Sequence, residues 1–164
     1  MTIAENFLME IEHEGPGTRK VLAAIAEEHF AWQSHEKAFT MKDLAIHTTK
    51  IFGWFNSTLN QEEIDLDNFE DSSPEVNTTA DLLELFDHNF ADATQQLQGY
   101  PDEKMHQTWR MRHGDQVMFE LPRVAVVRAS LLNHLYHHRG QLSTYLRAVG
   151  ARVPAVLGPT ADEQ

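Results

Sequence analysis

Cysteine is absent from the 164 residues. That absence removes disulfide frameworks, thiolate nucleophiles, iron–sulfur clusters and zinc fingers as explanations of fold or function. Any metal must then be held by His, Asp or Glu. Basic residues are also few: 13 Lys and Arg stand against 25 Asp and Glu, a formal net charge of -12. Nonspecific affinity for nucleic acid is built from cations facing phosphates, so nucleic acid is not an expected partner. Long apolar runs are missing too. The opening MTIAENFLMEIEHEGPGTRK lacks the basic start and apolar stretch of a signal peptide, and no later segment approaches the length of a membrane span. The expectation is a cytoplasmic protein with no membrane partner. No internal repeat or low-complexity tract is present. At 41% hydrophobic and 23% charged residues the composition is that of a folded chain rather than a disordered one. The length suits a single domain over 1–164.

What is there is helical patterning. A first helix is expected from about Thr18 to Phe30, with Val21, Leu22, Ile25 and Ala26 on one face. A second begins after Thr40, a good N-cap with Asp43 three residues on, and runs to about Asn60. An acidic, turn-rich connection from Gln61 to Asn77 follows. Thr78 or Thr79 then caps a third helix whose Leu82, Leu83, Phe86, Phe90, Ala93 and Leu97 recur at three and four, closed by Gly99 and Pro101. Between Met105 and Leu121 the helical period vanishes. Trp109, Met111, Val117 and Phe119 alternate about a His-Gly-Asp turn, which suggests a short hairpin or an ordered crossover. The fourth and strongest helix starts around Pro122 and continues to Val149, before Gly150 and Pro154. The tail ARVPAVLGPTADEQ reads as irregular and draped over one end. With long connections and no convincing sheet, the pattern points to an all-α four-helix bundle.

The ten histidines carry the chemistry, and helical geometry sorts them. At roughly 100° per residue, Val127, Leu131, Leu135, Leu142, Tyr145 and Val149 fall within about -20° to +60° of His138. His138 therefore sits in the apolar stripe, and His134 lies roughly 40° to one side, one turn back. His137 is about 100° away, on the flank. On the second helix Leu44, Ile51, Trp54 and Phe55 lie within roughly -20° to +80° of His47, so His47 faces inward too. Three imidazoles in an apolar interior need partners, and a divalent metal is the simplest one. An i, i+4 pair lets two rings reach one ion, and three protein ligands leave a position for water or substrate. A hydrogen-bonded core cluster stays open beside that reading, because a single His on an apolar face is ordinarily a satisfied core residue. HxxxH here has Leu135 where a zinc peptidase has Glu, so peptidase chemistry is not indicated. Trp54, Arg139 and Gln141 are expected near the open side of the site, with Gln141 placed to bond a ligand ring and Arg139 equally readable as a helix-surface residue. Tyr145 reads as core. His88 reads as a solvated face, and His13, His29, His35, His106 and His113 as element ends or loops.

The run NHLYHHRGQLSTYLRAVGARVP followed by GPTADE resembles the C-terminal signature of DinB-like proteins, also grouped with the YfiT-like metalloenzymes, and FTMKDLAIHTTKIFGWF resembles that family's second helix. The resemblance covers nearly the whole chain. It implies an up-down-down-up four-helix bundle with long crossover connections, commonly a homodimer, and a metal triad of His47, His134 and His138 holding zinc or nickel. It also implies a small-molecule substrate. Some relatives are transferases or isomerases using a low-molecular-weight thiol, and others are metal-dependent hydrolases. A thiol cosubstrate suits a chain with no thiol of its own, since an ion can stabilise a thiolate. Two other readings remain: a noncatalytic binding or stress-response module in which the metal joins two helices, and a dimeric scaffold with a pH-sensitive histidine core.

Overall fold

The computed structural model describes residues 1–69 and 73–163. Its helices are α1 (Ile3–Ala23), α2 (Met41–Asn60), α3 (Thr79–Leu97), the single turns α4 (Asp102–Met105) and α5 (Arg123–Val126), and α6 (Asn133–Ala148). A π-helical segment, Val127–Leu132, joins α5 to α6 without a break. The protein is mostly helical: α1 packs on α3 and α6, and α2 packs on the same two helices. Their shared interior holds Ile11, Leu22, Phe52, Phe55, Phe86 and Leu142. Among the described residues no helix is long and apolar enough to cross a membrane.

The all-α expectation needs correcting, because a three-stranded sheet flanks the helices. It comprises β1 (Glu63–Asp65), β2 (Thr108–His113) and β3 (Gln116–Pro122), with β2 central, parallel to β1 and antiparallel to β3. The hairpin lies where alternation predicts it, turning through Gly114 at φ 56. β1 falls inside the stretch expected as a turn-rich connection. Three residues are too few to show a period. Ile64 nonetheless packs with Trp109 and Val126, while Glu63 and Asp65 form ion pairs with Arg112. In the same connection residues 70–72 lie outside the described residues, as does 164 of the tail.

The first helix also differs from expectation. It begins at Ile3, where Thr2 and Glu5 form a reciprocal capping box, and runs straight through Gly15-Pro16-Gly17, a triplet that would ordinarily end a helix. Tertiary packing explains the two glycines. A Cβ at Gly15 would lie 2.7 Å from Cζ of the Phe90 ring, and one at Gly17 would press on Val156 at 3.1 Å. α1 stops at Ala23 rather than near Phe30 because the next residues serve α3. The Ile25 carbonyl accepts from Thr79 Oγ1 at 2.7 Å, and the Glu27 carboxylate accepts from Thr79 N at 3.1 Å. His13 accordingly sits in the middle of a helix, exposed, rather than at an element end.

α2 and α3 follow their sequence signals closely. Thr40 accepts from Asp43 N, and Thr78 with Asp81 makes a full capping box. The C-terminal carbonyls of α2 are closed by residues from far along the chain. Buried Arg123 donates to Thr58 O at 3.0 Å and Gln61 O at 2.8 Å, and Tyr100 Oη donates to Leu59 O at 2.6 Å. Arg123 thereby locks the start of the last helical rod onto α2. The tail is irregular, as expected, but pinned: Asp162 accepts from Val153 N at 2.9 Å and pairs with Arg147 at 2.6 Å.

Candidate metal centre

α2 and α6 lie side by side, and the contact brings His47 of α2 to His134 and His138 of α6. One ring nitrogen from each of the three lies within 4.8 Å of the other two. His47 Nε2 and His134 Nε2 are 3.1 Å apart, near the roughly 3.4 Å edge of a tetrahedron drawn with metal–nitrogen distances of about 2.0–2.1 Å. The donor set therefore suits a divalent ion of the zinc type.

The rings are oriented from behind. His134 Nδ1 lies 3.3 Å from Ser130 O, and His138 Nδ1 lies 2.7 Å from Gln141 Oε1. A carbonyl oxygen only accepts, so both Nδ1 atoms carry the proton and both Nε2 atoms present a lone pair. Trp54 walls the cluster, 5.4 Å from the His47 ring and 5.8 Å from the His134 ring, and Phe39 stacks on His47 at 5.7 Å. Burial pushes the His47 pKa down to about 4, helped by the neighbouring His138, His134 and Lys50. His134 is lowered by burial and by His138, and His138 by burial against an upward pull from Gln141. All three rings are neutral near pH 7, the state in which imidazole binds metal.

A DinB family model matches residues 1–164, the whole chain. The chain belongs to the DinB family. This DinB protein is 24% identical over 166 residues to the protein YrdA of Bacillus subtilis strain 168, an alignment covering 97% of this chain and 90% of YrdA. Its fold is that of two DinB-like crystal structures. One, from Bacillus cereus ATCC 10987, has a TM-score of 0.71 at 20% identity and covers 93% of this chain and 96% of its own. The other, YjoA of Bacillus subtilis, also has a TM-score of 0.71, at 17% identity, covering 94% and 96%.

Other residues singled out in the sequence are dispersed. His137 is exposed, its ring 4.9 Å from that of His138, and stands outside the group of three. Gln141 is on the His138 ring, as its helical position allows. Arg139 is neither on the open side of the site nor at the surface. It is buried toward α1, paired with Glu14 at 2.6 Å and donating to Thr18 Oγ1 at 3.2 Å. Tyr145 is core, with its ring against Trp32 and its hydroxyl near Ser34 and Phe39 O.

Two features of the DinB site have no counterpart in the sequence reading. The π segment shapes the rod directly before His134 and supplies the Ser130 carbonyl that orients it. Beside the cluster lies a cavity of about 690 Å³, walled by Trp54 of α2, by Ile64, Trp109 and Met111 of the sheet, and by the π segment. His134 and His137 are among the residues that line it. Trp109 Nε1 is buried with no hydrogen-bond partner among the described residues.

Proposed function

We propose that this DinB protein binds one divalent ion, zinc or nickel, through His47, His134 and His138 and acts on a small molecule, by thiol-dependent transfer or by hydrolysis. The observation that carries the reading is the arrangement of the rings: three neutral imidazoles meet within 4.8 Å, and the back nitrogens of two are tied to acceptors. An ion bound there would supply Lewis acidity toward a thiol or water. The chain's own part is to fix the three rings, through Ser130 O and Gln141, and to shield one side with Trp54 and Phe39. We read the four long helices as an up-down-down-up bundle and the working unit as a homodimer, the latter to be checked by light scattering.

Metal analysis tests the proposal. Protein purified without chelator is expected to carry about one equivalent of divalent metal, lost in His47→Ala, His134→Ala and His138→Ala and kept in His137→Ala. Metal-free protein that takes up no zinc or nickel on titration overturns it. A noncatalytic role has one observation in its favour, since the ligands come from two helices and an ion would tie α2 to α6. A panel of electrophiles with several low-molecular-weight thiols separates the two: turnover supports the enzyme, and metal-dependent stability without turnover supports the brace.

A further inference from the structure

The cavity beside the histidines has a definite chemical character. Its volume, about 690 Å³, is in the range that encloses a small organic molecule. In a protein with a formal net charge of -12, no Asp, Glu, Lys or Arg is among the described residues that line it. The walls are mainly apolar, with two indoles, a thioether and aliphatic groups from Trp54, Trp109, Met111, Ile64 and Ala129, beside a few neutral polar side chains. Such a chamber offers no charged side chain to offset the desolvation of a charged ligand, and its largely apolar walls favour apolar surface leaving water.

Its position ties it to the histidine cluster. Trp54 is shared, forming one wall of the chamber while standing 5.4 Å and 5.8 Å from the His47 and His134 rings. His134 is shared as well. The π segment contributes Ala129, Ser130 and Leu131 to the wall, and its Ser130 carbonyl orients His134. Wall and ring are thus set by one irregular stretch of backbone, a kind of insertion frequently found at functional sites.

We propose that this chamber seats the uncharged aliphatic or aromatic body of the substrate whose reactive head lies at His47, His134 and His138. The proposal rests on the metal reading above and narrows it, excluding a substrate that is charged along its length. The polar thiol, where one is used, then approaches from outside the chamber.

Two hydroxamates that share a metal-binding head test the assignment on the zinc-loaded protein. Octanohydroxamate carries six more methylenes than acetohydroxamate. If about half of them leave water, it should bind on the order of 50-fold tighter. Ala129→Phe fills the chamber from an exposed position on the π segment, and Met111→Trp fills it from the sheet. Each should erase the difference between the two ligands while zinc stoichiometry is unchanged. Equal affinity of both hydroxamates for zinc-loaded wild type overturns the chamber and leaves the metal site standing. A metal-independent arm uses 1-octanol, which should shift the indole N–H signals of Trp54 and Trp109 but not that of Trp32, packed elsewhere against Tyr145. If zinc does not bind and octanol still shifts those two, the metal reading fails and the apolar chamber holds. If octanol shifts none of the three, the chamber assignment fails.

Discussion

Replacing Gln141 by Leu isolates what orients a ligand ring from what forms the ligand set. His138 Nδ1 donates to Gln141 Oε1 at 2.7 Å, and Gln141 itself is exposed, so the substitution removes one hydrogen bond and little packing. Two things are then lost. The proton is no longer held on Nδ1, so Nε2 presents its lone pair only part of the time, and the ring can turn about its χ2 axis. Partners of this kind typically account for about 10–100-fold in metal affinity, or about 1.4–2.7 kcal/mol. Competition against a chromophoric chelator near neutral pH should therefore show a zinc Kd raised by about 10–100-fold, with one ion per chain still bound at saturation. Gln141→Glu keeps an acceptor and adds a negative charge, and should bind zinc at least as tightly as wild type. Stability of the metal-free protein should change by no more than about 1 kcal/mol in denaturant titrations, the worth of one part-buried hydrogen bond. An unchanged zinc affinity in Gln141→Leu refutes the orienting role. Collapse of the fold refutes it equally, by showing that Gln141 serves the structure first.

Three further outcomes follow from the packing and the charges. Gly15→Ala should destabilise by about 1–3 kcal/mol in urea titration, because the added methyl meets Phe90, and Phe90→Leu should recover part of the loss; a stabilised Gly15→Ala, as helix propensity alone would give, counts against the close approach. Arg139→Met should cost about 3 kcal/mol by stranding the partly buried Glu14 carboxylate while leaving zinc affinity within about twofold; loss of metal without loss of stability would return Arg139 to the site. The folded-state pKa of His47 lies below its ordinary value of 6.5, at about 4, and those of His134 and His138 are lowered too, so the unfolded chain binds more protons across that window. Chelator-treated protein should keep its full Tm above about pH 6.5 and lose it progressively toward about pH 4, and His47→Leu should flatten the curve; a Tm independent of pH across the window contradicts burial of neutral rings.

The legible parts of the fold are those where local chemistry and tertiary structure agree. α2 and α3 have side-chain caps at Thr40 and Thr78 and a continuous apolar period, and their boundaries follow from those alone. The hairpin shows itself by alternation around Gly114. α1 is the opposite case. Gly15-Pro16-Gly17 argues locally for a break, yet the helix runs through it, and only the Phe90 ring, 75 residues on, explains why a residue without Cβ stands at position 15. β1 is hidden for another reason: Ile64 is apolar between two acids, which is unremarkable until Trp109 and Val126 cover it and Arg112 pairs with both neighbours.

The histidine cluster illustrates how far counting along a helix carries. Within α6 the turn is regular, so the angles of His134, His138 and Gln141 transfer directly from sequence to structure. Arg139 is open to two readings at the same level of counting. What decides its place is the partner on α1, where Glu14 waits at 2.6 Å, and no angle on α6 contains that information. Upstream of His134 the regular turn ends, because Val127–Leu132 is π-helical and holds an extra residue in its turn. That stretch is where one wall of the chamber and the carbonyl behind His134 come from. Deleting Ala129 should convert the segment toward α geometry and keep both flanking helices. It should narrow the chamber and free His134 Nδ1 from Ser130 O, weakening zinc by about 10–100-fold as Gln141→Leu does and abolishing the preference for octanohydroxamate besides. Each is read by the assays above, with far-ultraviolet circular dichroism to confirm that helix content is kept. A deletion variant that binds zinc and both hydroxamates like wild type would show that the π turn is incidental to the site.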